Sequence, residues 1–391
     1  MRKKILFISG LQIFPPESGG HLRSANLCRA LVKNGYQVDL YSFTGRKKDY
    51  KQFKQSSREV IEEHLTEYTN RNPFLGLVQF LAYQLHLPPI WITLLTTLFI
   101  PRKLKKMMDI ADETIIDFPF LYPVANYLNR QNKGFWLNTH NAEFELYKTD
   151  SLMANWVKKI EINSLALAKF VFFCSINDQA KFIPYLPKLA EKSFFVPNGV
   201  DTSRFHFKPE ERLAIRRELN IDNDKKIFFF TGSQYAPNRE AYEFLKSWYY
   251  QHKEDLVKLN SVILVVGSVS EDSINDPHFK VLGRVESMLP YFAVADFALN
   301  LVVKGSGSSV KMIEFLAAKI PVISTKFGAR GLSLVDQKSC LFCEQSELLE
   351  VLKKATLLSP EEQRSIATLA LEQNINQVDM TRALKNLPFS W

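Results

Sequence analysis

Gly305-Ser306-Gly307-Ser308-Ser309-Val310-Lys311-Met312-Ile313-Glu314 is the stretch of this sequence best suited to chemistry. The first turn of a helix carries N–H groups without intrahelical partners and a partial positive charge. Glycines let an anion approach such a backbone closely, and serines add hydroxyl donors. Ser308 and Ser309 therefore read as phosphate ligands, with Lys311 adding a full charge. Glu314 lies three residues on and shares the helix face of Lys311. Its carboxylate can accept hydrogen bonds from both hydroxyls of a ribose. Together these residues suit a nucleotide diphosphate. Taken by itself, the segment also fits a plain turn followed by a surface ion pair. Gly305-x-Gly307-x-x-Val310 imitates a dinucleotide fingerprint, but the acidic residue sits inside the helix instead of about 20 residues later, which speaks against a nicotinamide site.

The elements around this stretch are those of a parallel α/β unit. Residues 296–303 read as a buried strand, 310–319 as a helix ended by Pro321, and 321–325 as the next strand. Further strands are expected at 226–230, 262–266 and 281–282, each followed by a loop: Gly232-Ser233-Gln234, Gly267-Ser268 and Gly283-Arg284. Pro237-Asn238-Arg239 opens the helix after the first of them. In open α/β sheets ligands bind beyond the carboxyl ends of the strands. Gly232, Asn238, Arg239 and Arg284 thus join the candidates for binding a phosphorylated ligand.

The first half repeats the pattern. A strand at 5–9, a helix at 21–34 stopped by Gly35 and a strand at 37–43 form a βαβ unit, which predicts a parallel sheet. Gly19-Gly20 opens the helix and Arg23 lies one turn in. This group reads either as a second phosphate contact or as a tight entry turn with a solvated arginine. Strands are also expected at 113–117, 135–139 and 170–174. His140 follows the second of these, where an imidazole can exchange a hydrogen bond or a proton with a bound hydroxyl; capping of the following loop is the plainer alternative. Pro197-Asn198-Gly199 has the turn chemistry of a domain border. Residues 46–72 are polar and give little.

Bulk properties narrow the class. With 391 residues, 46% hydrophobic and 23% charged, the chain can bury two full cores. The net charge of +9 is confined to residues 1–200, which hold 26 Lys and Arg against 17 Asp and Glu. Such a surface faces something anionic. Without a nucleic-acid motif, an anionic membrane is the expected partner and nucleic acid is not. Residues 74–100 contain no Asp, Glu, Lys or Arg, but Pro88-Pro89 interrupts them, so two apolar helices are expected instead of a membrane span. Arg102-Lys103-Leu104-Lys105-Lys106 follows directly, and residues 74–106 together fit docking on anionic lipid. Met1-Arg2-Lys3-Lys4 before Ile5 imitates the start of a signal peptide, but the apolar run is short and leads to Pro15-Pro16, so a strand is expected. Four cysteines make no disulfide framework, and Cys340-x-x-Cys343 is read as half-buried strand cysteines of a protein in a reducing cytosol. Asp222-Asn223-Asp224 spells a metal-binding signature of another sugar-transferase class, but it falls before a strand, at the wrong end of the sheet. No metal site is expected.

The motifs in their order resemble glycosyltransferase family 4, the retaining enzymes of GT-B fold, over nearly the whole chain. They are Pro15-Pro16-x-x-Gly19-Gly20-x-x-Arg23, Thr139-His140-Asn141-Ala142-Glu143, Val196-Pro197-Asn198-Gly199-Val200-Asp201, Gly232-x-x-x-x-Pro237-Asn238, the 305–314 stretch, and Thr325-x-x-Gly328-Ala329-x-Gly331-Leu332. The resemblance implies two Rossmann-like parallel-sheet domains facing a central cleft. The N-terminal one (1–198) would bind the acceptor, the C-terminal one (199–372) the nucleotide-sugar, and a C-terminal helix (373–391) would cross back to the first. It implies donor contacts by Gly19, Gly20, Arg23, Gly232, Asn238, Arg239, Arg284, Ser308, Ser309, Lys311 and Glu314, with His140 and Lys311 at the reacting centre. It implies no metal and no cofactor beyond the nucleotide-sugar co-substrate. Two positions depart from the family: Ser306 stands where a Glu often begins a Glu-x7-Glu pair, and Ser233 follows Gly232 where an Arg…Lys pair is usual. These departures define a Gly-Ser-Gly loop variant.

The expected activity is retaining, metal-independent transfer of a sugar to a hydroxyl on a glycan or lipid-linked acceptor. Its expected setting is lipid-linked glycan or surface polysaccharide synthesis, in the cytoplasm and peripherally on the inner face of the plasma membrane. The alternatives are a non-catalytic nucleotide-sugar-binding scaffold on the same fold and a sugar-nucleotide epimerase.

Overall fold

A computed structural model describes residues 2–16, 19–44, 57–70, 93–95, 97–147, 151–305 and 310–385. The chain separates into two units: the residues up to Pro197 together with those from Met380, and Asn198–Asp379. Residues 373–379, assigned above to the returning helix, lie in the second unit.

The first unit is built on β1 (Lys4–Leu11), α1 (Gly19–Lys33), β2 (Gln37–Thr44), β3 (Ser57–Glu62) and β4 (Leu65–Thr69). It continues through α2 (Arg102–Ile110), β5 (Glu113–Asp117), α3 (Tyr122–Arg130), β6 (Trp136–Asn138), α4 (Leu152–Leu167), β7 (Phe170–Phe173), α5 (Ile176–Phe182) and β8 (Ser193–Phe195). Its eight strands run in the order β3-β4-β2-β1-β5-β6-β7-β8, all parallel except the β3–β4 hairpin. Ile5 and Phe7 enter one apolar core and Leu6 and Ile8 the other, so β1 is buried on both faces, as a central parallel strand must be. Gly35, at φ 95°, ends α1 in the left-handed conformation that glycine adopts at little cost.

The second unit comprises α6 (Pro209–Glu218), β9 (Lys226–Thr231), α7 (Ala236–Gln251), α8 (Lys253–Lys258), β10 (Ser261–Val266), β11 (Ile274–Asp276) and β12 (Phe279–Val281). It continues with α9 (Leu289–Val294), β13 (Phe297–Asn300), α10 (Val310–Ala317), β14 (Val322–Ser324), β15 (Leu341–Phe342), α11 (Leu348–Leu357) and α12 (Pro360–Val378). The seven strands are ordered β11-β12-β10-β9-β13-β14-β15, with only β11 antiparallel. Phe228 and Phe230 face one core and Ile227 and Phe229 the other. Cys340 and Cys343 are fully buried here, not half-buried as expected, because Cys343 packs in the core with Leu348 and Leu352 of α11 and Cys340 in the opposite core with Ala317 and Val322.

A final helix, α13 (Met380–Lys385), belongs to the first unit. Met380 and Leu384 enter the same core as Ala25 and Leu27 of α1, and Asn34 donates to the Thr381 carbonyl at 3.2 Å. Two features escaped the sequence reading: the polar β3–β4 hairpin and β11, the antiparallel partner of the strand expected at 281–282. The apolar helices expected in 74–100 fall largely outside the described residues. Among the described residues no helix is long and apolar enough to cross a membrane.

Candidate functional site

In the second unit the carboxyl end of β9 meets the start of α10. Lys311 Nζ donates to Asn238 Oδ1 at 2.8 Å and stands 5.1 Å from the centre of the Phe230 ring. A Cβ on Gly232 would lie 3.0 Å from Asn238 Cβ, so the absence of a side chain there lets the β9 loop close over α7. Gly232, Asn238 and Lys311 are thus brought together as the sequence suggested. Gly305, at φ 140°, packs with Tyr235 and Pro237, where a Cβ would meet Pro237 Cγ at 3.2 Å. Ser308 and Ser309 lie outside the described residues.

Lys311 and Glu314 are half-buried, one turn apart on α10. Burial pulls the Lys311 ammonium down to about 7, against the pull of Glu314. Burial likewise pushes the Glu314 carboxyl up to about 7, opposed by the charges of Arg204 and Lys311. Two groups pushed toward neutrality from opposite directions make this pair a candidate site. Arg204 was not singled out from the sequence; it ends a short turn, Thr202–Arg204, just past the Pro197–Asp201 motif. Arg330 was missed as well. It stacks 4.2 Å over the Phe327 ring and lies close enough to Tyr235 for their charges to couple. Single cations without a local pattern give no signal in a sequence.

Arg284 lines a cavity of about 680 Å³ together with Ser233, Gln234, Tyr235, Ser268 and Asp272. One wall of that cavity is braced from α7, where Tyr242 Oη (3.0 Å) and Lys246 Nζ donate to Asp272. A second brace two turns further along joins Tyr249 of α7 and Lys253 of α8 to Asp276. Arg239 is exposed on α7. The Asp222-Asn223-Asp224 turn precedes β9, at the amino edge of the sheet, and Asp224 accepts a hydrogen bond from Asn260 at 2.9 Å.

In the first unit the carboxyl ends of β5 and β6 carry a buried polar network. His140 Nε2 lies 2.8 Å from Asp117 Oδ1, and both side chains are 7% exposed. Asn138 Nδ2 donates to the same Oδ1 at 2.8 Å, and Ser24 Oγ to Oδ2 at 2.8 Å. Burial alone would raise the Asp117 carboxyl, but the His140, Asn138 and Ser24 contacts outweigh it and hold the group below the usual range. The Phe118 ring packs 4.7 Å from the imidazole. Gly20 lies over its other edge, where a Cβ would sit 3.3 Å from Nδ1. Gly20 and His140 are therefore neighbours, and Gly19 precedes Gly20 at the start of α1.

Arg23 is a correction to the sequence reading in both its forms. It is neither a phosphate ligand nor solvated. Its guanidinium is 3% exposed and donates to the Thr139, Val196 and Pro197 carbonyls and to Asn138 Oδ1, at 2.8–3.1 Å. These partners lie over a hundred residues away, and no local pattern announces them. The residue ties α1 to the loops after β6 and β8 and orients Asn138 toward Asp117.

Two buried carboxylates shape the flanking loops. Glu67, fully buried on β4, accepts from the Ile13 and Phe14 amides and from Ser42 Oγ, fixing the loop that leads to Gly19. Glu161, fully buried on α4, accepts from the Glu143 and Phe144 amides just beyond His140. Burial pushes the Glu161 carboxyl up to about 8, from an ordinary 4.5. The folded protein then holds a proton that the unfolded chain gives up near 4.5, so stability falls as pH rises from about 4.5 to 8. Urea unfolding of wild type and Glu161→Gln at pH 5, 6.5 and 8 checks this. Wild type should lose on the order of 3 kcal/mol across the range relative to the variant.

Comparison with known proteins gives the fold class first. The chain is similar to sucrose-phosphate synthase from Thermosynechococcus elongatus (15% identity, 98% of each chain, TM-score 0.64) and to the trehalose-6-phosphate synthase OtsA (14%, 99% of each chain, TM-score 0.66). It is also similar to HepE of Anabaena, solved with UDP and glucose (16%, 99% of this chain and 100% of that chain, TM-score 0.61). At such identities the likeness establishes the fold, which is GT-B, with two parallel-dominated α/β units. Residues 225–357, which carry Gly232, Asn238, Arg284, Lys311 and Glu314, match the family described as Glycosyl transferases group 1. No curated protein matches the sequence.

Proposed function

We propose that this protein transfers a sugar from a nucleotide diphosphate sugar to a hydroxyl acceptor, with retention at the anomeric carbon and without a metal ion. The observation that carries the reading is the half-buried Lys311–Glu314 pair on the first turns of α10, with Lys311 turned to Asn238 beside the β9 loop. In this reading Lys311 and the α10 amides, with Ser308 and Ser309, neutralise the departing diphosphate as charge builds on it. Glu314 accepts from the ribose hydroxyls. The cavity beside Arg284 offers room for the base. The match of residues 225–357 to Glycosyl transferases group 1 supports the reaction class. UDP and glucose in the HepE structure make a uridine donor the first to try.

Retention is what the resemblance of the motifs to glycosyltransferase family 4, as its Gly-Ser-Gly loop variant, implies. A same-face attack assisted by the leaving phosphate needs no nucleophile from the protein. The acceptor belongs, in this reading, to lipid-linked glycan or surface polysaccharide synthesis on the inner face of the plasma membrane. Its support is a patch in which Leu98 and Phe99 are 59% and 71% exposed beside the exposed Arg102, Lys103, Lys105 and Lys106 of α2.

A thermal-shift screen against UDP, GDP, ADP and their sugars tests the donor site. One nucleotide at about 100 times its Kd should add about 2.7 kcal/mol of stability, and Glu314→Ala should abolish that gain. A protein indifferent to every nucleotide overturns the reading. The anomeric configuration of the product, read by NMR, tests retention; an inverted product refutes it.

A further inference from the structure

The loop Thr325-x-x-Gly328-Ala329-x-Gly331-Leu332, which follows β14, is held more tightly than a connection needs. Thr325 Oγ1 donates to the Val302 carbonyl and accepts from the Gly328 amide at 2.9 Å. Asn300 Nδ2, at the end of β13, donates to the Gly328 carbonyl at 2.9 Å. A Cβ on Gly328 would lie 2.8 Å from the Asn300 carbonyl oxygen and from Ser324 Oγ, so the loop is pressed onto the ends of β13 and β14. At its far end the Ser333 amide donates to Asn374 Oδ1 of α12 at 2.7 Å, and Asn374 Nδ2 donates back to the Ser333 carbonyl at 3.0 Å. A turn fixed at both ends presents its side chains in a defined place.

The charged side chain on this turn is Arg330. Its guanidinium lies 4.2 Å over the Phe327 ring, and Nη1 donates to the Phe327 carbonyl at 3.0 Å. Phe327 packs against the core that contains Phe230, and Lys311 Nζ stands 5.1 Å from the centre of the Phe230 ring. β9, β13 and β14 are adjacent in the sheet. The two cations are therefore mounted on aromatic rings of one core, at the carboxyl ends of three neighbouring strands of the second unit. Tyr235 connects the two mounts. Its charge couples to Arg330, and its Oη is 3.4 Å from where a Cβ of Gly305 would lie, beside Pro237. Asn238, next in sequence to Pro237, accepts from Lys311. Burial pulls the Arg330 guanidinium down, opposed by the Tyr235 phenol, but an arginine so placed keeps its charge.

We propose that Arg330 is a second cation for the diphosphate of the bound nucleotide, reaching it from the loop after β14 while Lys311 reaches it from α10. This rests on the nucleotide-sugar reading for the identity of the ligand. The chemistry suits the residue. A planar guanidinium can donate two parallel hydrogen bonds to phosphate oxygens, and a ring beneath it leaves its N–H edge available for them. A nucleoside diphosphate carries charge on two phosphates, more than one lysine offsets. The arginine also stays charged at the pH where burial brings the Lys311 ammonium to lose its proton.

The test uses the full chain and three probes: UDP, uridine and inorganic pyrophosphate. In calorimetric titrations Arg330→Gln should weaken UDP at least about tenfold, the loss of one charge-assisted contact. Uridine, which has no phosphate and is followed by ligand-observed NMR, should bind wild type and variant alike. Arg330→Lys keeps the charge without the fork and should fall between the two for UDP. Pyrophosphate binding should weaken in Arg330→Gln as UDP binding does. Unchanged UDP affinity in Arg330→Gln overturns the inference and leaves the nucleotide-sugar reading standing. Equal losses for UDP and uridine overturn it too, because an arginine that only braces its loop would disturb both. If Arg330→Gln does not fold, Arg330→Lys decides by the same comparison. A wild type that ignores UDP but binds pyrophosphate through Arg330 overturns the nucleotide-sugar reading and leaves the anion site; a wild type that binds neither overturns both.

Discussion

Lys311→Ala should lower sugar transfer by about 10² to 10³-fold, the loss that follows removal of one preorganised group facing a developing negative charge. The fall should appear in kcat and in kcat/KM together, since the charge on the phosphate grows in the transition state. The pH dependence is the more specific part of the expectation. Lys311 in the free protein gives up its proton near 7, so nucleotide binding should weaken as pH rises past that point. Glu314 gains a proton near the same pH, so its grip on a ribose should weaken as pH falls below it. The two limbs together give an affinity maximum close to neutrality. Lys311→Ala should remove the alkaline limb, and Glu314→Gln the acidic one. Calorimetric titration with UDP between pH 5.5 and 8.5 reads both, and a flat profile in wild type would refute the opposed-pair account.

Gly267→Ala should destabilise the second unit by about 2–6 kcal/mol and damage nucleotide binding at the same time. Gly267 sits at φ 121°, where an L-residue is strained by about 1–3 kcal/mol. A Cβ there would also fall 2.5 Å from the Gly232 carbonyl oxygen and 3.2 Å from Thr231 Oγ1. Backbone at that distance cannot step aside without moving the β9 loop, and overpacking adds about 1–3 kcal/mol. The Gly267 amide donates to the Gly283 carbonyl at 2.8 Å, so the loops after β9, β10 and β12 move together. A unit of this size should lose about 4–24 °C in Tm. Gly331→Ala is the control. Gly331 also has a positive φ, 82°, but nothing within 4 Å of its Cβ position, so strain alone should cost about 1 kcal/mol. Equal losses in the two variants would sink the crowding argument.

The parts of this architecture that were legible are those encoded locally. Buried parallel strands announce themselves as short apolar runs, so β1, β9, β10 and β13 were found close to their positions, with β13 ending at Asn300 instead of 303. Loops rich in glycine after such runs pointed to Gly232, Lys311 and Glu314. The polar hairpin Ser57–Thr69 was illegible because its alternation is carried by Glu, Thr and Tyr, and because its turn residue, His64 at φ 66°, is no glycine. With it went Glu67, whose main-chain partners Ile13 and Phe14 are 54 and 53 residues away. Asp117 was passed over and Arg23 misjudged for the same reason. An acidic residue ending a strand and an arginine inside a helix look ordinary until residues 138, 140 and 196 are brought beside them.

The assignment of α13 to the first unit has a consequence for synthesis. The bond from Asn34 to the Thr381 carbonyl spans 347 positions, and Met380 and Leu384 complete a core whose other members belong to residues 5–196. While the chain is emerging from the ribosome, the groove along α1 stays unfilled until the whole second unit has been made. At translation speeds of about 5–20 residues per second the nascent first unit waits some tens of seconds with apolar surface uncovered. That interval makes the groove a natural site for chaperone engagement. It also means that a nonsense mutation anywhere in α12 would leave the N-terminal half of the protein unsealed, although every strand of its own sheet had been made.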